Sequence, residues 1–166
     1  EEFDYLMKQF KAAFEDIKDN PDIKKDGIRI KAIGRTELLP ADVRKAIKEA
    51  EDTTANYNNY LVNIAIAYGG REEIIDAVKR IGRLIEQGKI KDKDITEELV
   101  KNNLYTGSEP DLIIRTGGEQ RTSNFLIWQS NYSEWIFVEK MWPEFEEADL
   151  VKCINDYNER ERRYGS

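Results

Sequence analysis

The residues able to do chemistry concentrate in 111–129. There an apolar run, Leu112-Ile113-Ile114, ends in Arg115, followed by Thr116-Gly117-Gly118, then Glu119, Arg121 and the pair Ser123-Asn124. Ligands of open parallel sheets bind outside the carboxyl ends of strands. Glycines let backbone N–H groups approach an anion, and a helix N-terminus adds further donors. Two arginines flanking such a turn can fork onto phosphate oxygens. The expected chemistry is an anion pocket, for a diphosphate. Each piece also has an ordinary reading: Arg115 paired with a carboxylate, Gly117-Gly118 a tight turn, Ser123 a helix cap. Their meeting at one strand end favours a site. No GxxxxGK[ST] occurs, so this is not a P-loop, and no GxGxxG occurs either.

Two further groups are candidates. Arg160, Arg162 and Arg163, followed by Tyr164 and Gly165, form a basic cluster at the C-terminus. Its ordinary reading is a helix end whose cations offset the dipole. Glu134 follows Tyr132-Ser133. Magnesium is commonly held by one or two carboxylates with phosphate oxygens and waters, so Glu134 and Glu119 are candidate metal carboxylates.

Composition removes other chemistries. The 166 residues carry 33 acidic and 26 basic side chains, a net charge of −7, which argues against a general nucleic-acid binder. There is no histidine, so Ser-His-Asp triads, Cys-His nucleophiles and imidazole acid–base work are excluded. Cys153 is the one cysteine, which fits a reducing, cytoplasmic compartment. No run of apolar residues is long enough for a transmembrane helix. What remains is carboxylates, arginines, hydroxyls, amides and a hard metal.

Elements must position these groups. Phe3, Met7, Phe10, Phe14 and Ile17 fall on one helical stripe. A polar turn is expected over 19–26 around Asn20-Pro21, and a short strand over 28–33 closed by Gly34. A helix is expected over 41–56 after Pro40. The nearly continuous apolar run 61–68 reads as a strand buried on both faces. A helix over 72–86 should turn Ile74, Ile75, Val78, Ile81 and Ile85 inward, with Gly88 closing it. A short helix is expected from Thr96. Asp111–Arg115 and 135–138 read as strands, 123–130 as a helix capped by Ser123, and 145–164 as a closing helix. Strands alternating with helices predict an α/β fold, one domain over 1–166, with a mainly parallel sheet flanked by helices.

The blocks 111–129, Tyr132-Ser133-Glu134 and Trp142-Pro143-Glu144-Phe145 closely resemble the C-terminal signature of the cis-prenyltransferases, the undecaprenyl or polyprenyl diphosphate synthases. The run from Asn63 through Tyr68-Gly69-Gly70-Arg71 is similar to a second family block. Ile33-Gly34 with Leu39-Pro40 is similar to a third, and Arg163-Tyr164-Gly165 matches the family's C-terminal R-x-G.

The resemblance implies that family's α/β fold, usually dimeric. It implies condensation of isopentenyl diphosphate with an allylic diphosphate to a cis-polyprenyl diphosphate, with magnesium. By motif match, Arg115, Arg121 and Ser123 would hold the isopentenyl diphosphate. Glu134 would assist the magnesium–diphosphate assembly, and Arg163 and Gly165 would reach the diphosphate in the neighbouring subunit. Asn63 and Arg71 read as structural or peripheral. The stripe from Phe3 to Ile17 resembles one wall of a product tunnel, with core packing as its other reading. A homodimer and contact with a membrane surface are the implied partners; nucleic acid is not one.

Departures matter as much. The family's Met-Asp-Gly-Asn block, with the main catalytic and metal aspartate, does not occur here, so the chain is expected to be a C-terminal fragment without turnover of its own and, unless dimerisation covers its exposed sheet edge, with marginal stability. Gln120 stands where some members carry histidine. Two other functions compete: a non-catalytic partner subunit supplying its R-x-G tail to a catalytic mate, and a phosphate-binding α/β module acting on nucleotides. Retention of the Arg115–Ser123 block disfavours the former, and the lack of a ribose-binding signature disfavours the latter.

Overall fold

The computed structural model describes residues 2–160, and the chain divides into two compact units, Glu1–Ala77 and Val78–Ser166. The helices are α1 (Glu2–Asp19), α2 (Pro21–Asp26), α3 (Ala41–Thr54), α4 (Gly70–Glu86), α5 (Glu97–Asn103) and α6 (Glu147–Glu159). The strands are β1 (Ile28–Ile33), β2 (Tyr60–Ala65), β3 (Leu112–Thr116) and β4 (Glu134–Val138). They form two parallel ladders, β1 with β2 and β3 with β4, so the α/β expectation is met.

In the first unit, α1 lies on α3 and α3 lies on β1. Met7, Phe14, Ile30, Val43, Ala46, Ile47 and Ala50 form one buried cluster, with Phe10 and Ile17 packed against it. The amphipathic stripe of α1 is therefore core, except Phe3, which is 59% exposed. Burial of each large side chain of this kind is worth about 1.5–3 kcal/mol. Thr54, fully buried, takes the Ile30 N–H at 3.0 Å on Oγ1 and donates to the Ala50 carbonyl at 2.9 Å, tying the end of α3 to the middle of β1.

Gly34 closes β1 with φ +122°, and a Cβ there would stand 2.1 Å from the Ile66 carbonyl oxygen. No side chain fits. The close approach lets the chain after β1 pair with the chain after β2: Ile66 N–H donates to Ile33 O at 2.9 Å and Arg35 N–H to Ala67 O at 3.2 Å.

Three expectations for this unit change. The polar turn over 19–26 is instead α2. Asn20 caps it by accepting from the Asp22 and Ile23 amides, Pro21 fits the first turn, and Gly27 ends it in the left-handed region at φ +65°. The apolar run ends as a strand at Ala65 and is not buried on both faces. Leu61 is 52% and Val62 42% exposed, because β2 has one strand partner among the described residues. On α4 Glu73, Ala77 and Ile81 are buried, with Gly70 at its start, whereas Ile75, Val78 and Ile85 are exposed. The Tyr68 hydroxyl donates to the Glu73 carboxylate, which makes burial of the acid possible.

In the second unit, Gly88 closes α4 as expected. It sits at φ +68°, and Lys89 N–H reaches back to Leu84 O at 2.9 Å. Ladder β3–β4 pairs Leu112 with Glu134 and Arg115 with Phe137. Helix α6 is tied to β4 at both ends, by Lys140 to Asp149 at 2.8 Å and by Arg160 to Glu134 at 2.7 Å. It runs over Glu147–Glu159 and not the expected 145–164, because Glu146 and Arg160, which flank it, both take extended backbone. No helix among the described residues is long and apolar enough to cross a membrane.

Candidate diphosphate site

Strand β3 carries Arg115 to its carboxyl end, where the chain turns back at Gly117 and Gly118, both at positive φ. The Arg115 guanidinium donates to the Arg121 carbonyl and, at 2.9 Å, to Ser123 Oγ. Arg121 in turn pairs with Glu119 at 2.6 Å, with both side chains at least half exposed. The three residues expected to hold a diphosphate are thus drawn together around one guanidinium, on an open surface. An arriving diphosphate would compete with Ser123 for Arg115, an anionic acceptor replacing a neutral one, and with Glu119 for Arg121, one anion replacing another.

Two details of the expected pocket are corrected. Residues 123–130 form turns, not a helix. Ser123, Asn124 and Leu126 all have positive φ, between 45° and 63°, which a right-handed helix cannot accept. Ser123 therefore caps no helix, and its hydroxyl serves Arg115 instead. The glycine amides are also not directed at an anion. Gly117 N–H donates to Lys140 O at 2.8 Å and Gly118 N–H to Val138 O at 3.0 Å. The glycines close the turn against the end of β4, so their amides form no backbone cradle for an anion.

Glu134 lies elsewhere. It begins β4, level with Leu112, whereas Arg115 is level with Phe137 three residues further on. Side chains alternate along a strand, so Glu134 shares a face with Ile136 and Arg115 projects from the other. Glu134 Oε2 accepts from Arg160 at 2.7 Å. Magnesium chemistry needs no all-protein cage, and among the described residues no group of three or more Asp, Glu or Cys side chains is placed to form one. An anchored, partly exposed carboxylate such as Glu134 fits the lesser demand of one ligand beside phosphate oxygens. Glu119, the other candidate, is engaged with Arg121.

Arg163 and Gly165 lie outside the described residues. Asn63 sits half-buried in β2, and Arg71 is exposed in the first turn of α4. A cleft of about 560 Å³ opens beyond the amino ends of β3 and β4, bordered by Glu97, Asp111, Trp128 and Tyr132; it does not include Arg115, Arg121 or Ser123. Sequence reasoning missed Arg160 as a partner of Glu134. The two are 26 residues apart, and no periodicity joins a strand's start to the residue after a later helix.

A family model described as putative undecaprenyl diphosphate synthase matches residues 1–165. The tritrans,polycis-undecaprenyl-diphosphate synthase (geranylgeranyl-diphosphate specific) of Methanocaldococcus jannaschii is 52% identical over 169 residues, covering 99% of this chain and 60% of the relative. That of Pyrococcus horikoshii is 48% identical, covering 99% of this chain and 63% of the relative. The chain thus spans about three-fifths of the length of these curated relatives. Among solved structures, lavandulyl diphosphate synthase from Lavandula x intermedia, in complex with dimethylallyl diphosphate, superposes with a TM-score of 0.93 at 35% identity, over 99% of this chain and 72% of that one. A probable undecaprenyl diphosphate synthase from Campylobacter jejuni gives 0.86 at 33%, over 99% and 75%. With a family match along nearly its whole length and a parallel α/β fold shared with solved members, the chain belongs to the undecaprenyl diphosphate synthase family of cis-prenyltransferases.

Proposed function

We propose that this chain serves the condensation of isopentenyl diphosphate with an allylic diphosphate to a cis-polyprenyl diphosphate, and that these 166 residues by themselves have no turnover. In that reaction the allylic C–O bond breaks and diphosphate leaves. A carbon–carbon bond forms to the terminal carbon of isopentenyl diphosphate, and a proton is lost to leave the new double bond. The observation that carries this reading is the convergence of Arg121 and Ser123 on Arg115 at the carboxyl end of β3. These groups bind and orient the isopentenyl diphosphate, and fixed guanidinium charge is worth most where it is already oriented. The names of the relatives favour geranylgeranyl diphosphate as the allylic partner.

Magnesium, when bound, neutralises diphosphate charge, and Glu134 is the carboxylate read as assisting it. Arg163 and Gly165 are read as reaching a diphosphate in a second copy. The homodimer this requires is favoured by Leu150, Val151 and Ile154 of α6 and by Trp142, all exposed. The long hydrocarbon product favours contact with a membrane surface, and the single cysteine a cytoplasmic setting. The one family match over 1–165 favours reading the chain as one domain.

The test is calorimetric titration of isopentenyl diphosphate with magnesium into this chain and into Arg121→Ala. Binding weakened by about ten- to a hundred-fold in the variant is expected, the range for losing a charge-assisted contact. Equal binding in both would reject the assignment.

A further inference from the structure

Glu134 opens β4 at the end of the strand remote from the Arg115 group, and its carboxylate could take many orientations from an exposed strand terminus. It does not. One guanidinium nitrogen of Arg160, the residue just beyond α6, donates to Glu134 Oε2 at 2.7 Å and to the Trp135 carbonyl at 3.2 Å. The contact fixes two things at once: the carboxylate and the point where the chain leaves α6. Helix α6 already meets the other end of β4 through Lys140 and Asp149 at 2.8 Å. With both ends tied, the helix cannot slide along the strand without breaking one pair. Arg163 is three residues beyond Arg160, at most about 10 Å of extended chain.

We propose that Arg160 is a positioning residue for Glu134: its guanidinium bridges the Glu134 carboxylate and the Trp135 carbonyl, setting the carboxylate's orientation and the origin of the C-terminal stretch together. A carboxylate that assists a metal is typically oriented by a hydrogen-bonded neighbour. Arginine suits this better than lysine, because a planar guanidinium can serve a side-chain and a main-chain oxygen in fixed directions. The inference rests on the reading of Glu134 as the metal-assisting carboxylate.

The experiment uses the 166-residue chain with Mn2+ as probe, read by electron paramagnetic resonance in the presence of isopentenyl diphosphate. Arg160→Gln is expected to raise the Mn2+ concentration at half-saturation by about three- to ten-fold, and Arg160→Lys to recover part of that. In a Glu134→Gln background, Arg160→Gln should add nothing, because it acts through the missing carboxylate. No effect, or one of equal size in both backgrounds, overturns the proposal. A second arm needs no ligand: trypsin cleavage after Arg162 and Arg163, followed by mass spectrometry. Both Glu134→Gln and Arg160→Gln should accelerate it, Arg160→Gln at least as much because it also releases the Trp135 carbonyl, and the double variant no more than Arg160→Gln; no acceleration in either, or factors that multiply in the double variant, overturns the proposal. If Glu134→Gln leaves Mn2+ binding unchanged, the metal reading of Glu134 has failed, and the cleavage arm alone decides the role of Arg160.

Discussion

Glu134 and Arg115 project from opposite faces of the β3–β4 ladder, Glu134 level with Leu112 and Arg115 level with Phe137. One chain therefore does not gather its candidate metal carboxylate and its candidate diphosphate arginine at one point. The two should be separable by mutation. Without metal, Arg115→Ala should weaken isopentenyl diphosphate binding by at least about ten-fold, while Glu134→Gln stays within about three-fold of the parent. Calorimetry in a chelating buffer measures both, and a matched loss would mean the two groups act on the same diphosphate oxygens.

Gly34→Ala is the severest single substitution expected in the first unit. A methyl 2.1 Å from the Ile66 carbonyl oxygen, at φ +122°, forces the ends of β1 and β2 apart. The cost should be about 3 kcal/mol or more, from backbone strain plus displacement of the pairing beyond both strands. Urea unfolding followed by tryptophan-independent circular dichroism would detect it. A midpoint unchanged from the parent would contradict the close approach.

Thr54→Val keeps the shape of a fully buried side chain but removes its hydroxyl. The Ile30 amide then loses its acceptor in the core, at a cost of about 1–3 kcal/mol. Thr54→Ser, which keeps the hydroxyl, should cost less than Thr54→Val if the hydrogen bond outweighs the lost methyl. The same denaturation experiment ranks the three proteins.

Stability should respond to pH through the pair joining α1 to α3. The hydrogen bond from Lys18, 2.5 Å away, lowers the pKa of Glu49, and the same bond raises that of Lys18. A lowered carboxylate contributes stability above its unfolded value that is lost as pH falls through the folded one. A raised amine contributes stability below its unfolded value that is lost as pH rises through the folded one. The pair's contribution should be full between about pH 5 and pH 10 and fade on both sides. Melting curves of the parent and Glu49→Gln followed from neutral pH down to well below about pH 5 should converge at the acid end; curves that stay parallel would show that the pair contributes no linkage.

Local chemistry made much of this molecule legible in its sequence. The 3.6-residue stripe of α1, the alternation of β1 and the Gly88 stop each express a preference that few residues decide, and the same is true of the Arg115–Ser123 block. The run of six residues in α2 was legible too, once Asn20 and Gly27 are weighed as caps against the turn-forming Asn-Pro pair. What the sequence could not decide depends on distant partners. Whether Leu61 and Val62 are buried depends on how many strands flank β2, and the inward face of α4 depends on what seats against Ala77 and Glu73. Residues 123–130 have a helical pattern but form turns, with Ser123, Asn124 and Leu126 at positive φ that a right-handed helix cannot accept. Tertiary structure alone gave the Gly117 and Gly118 amides to β4, set Glu134 and Arg115 on opposite faces, and brought Arg160 to Glu134, since each of these follows from the register of two strands and the length of one helix.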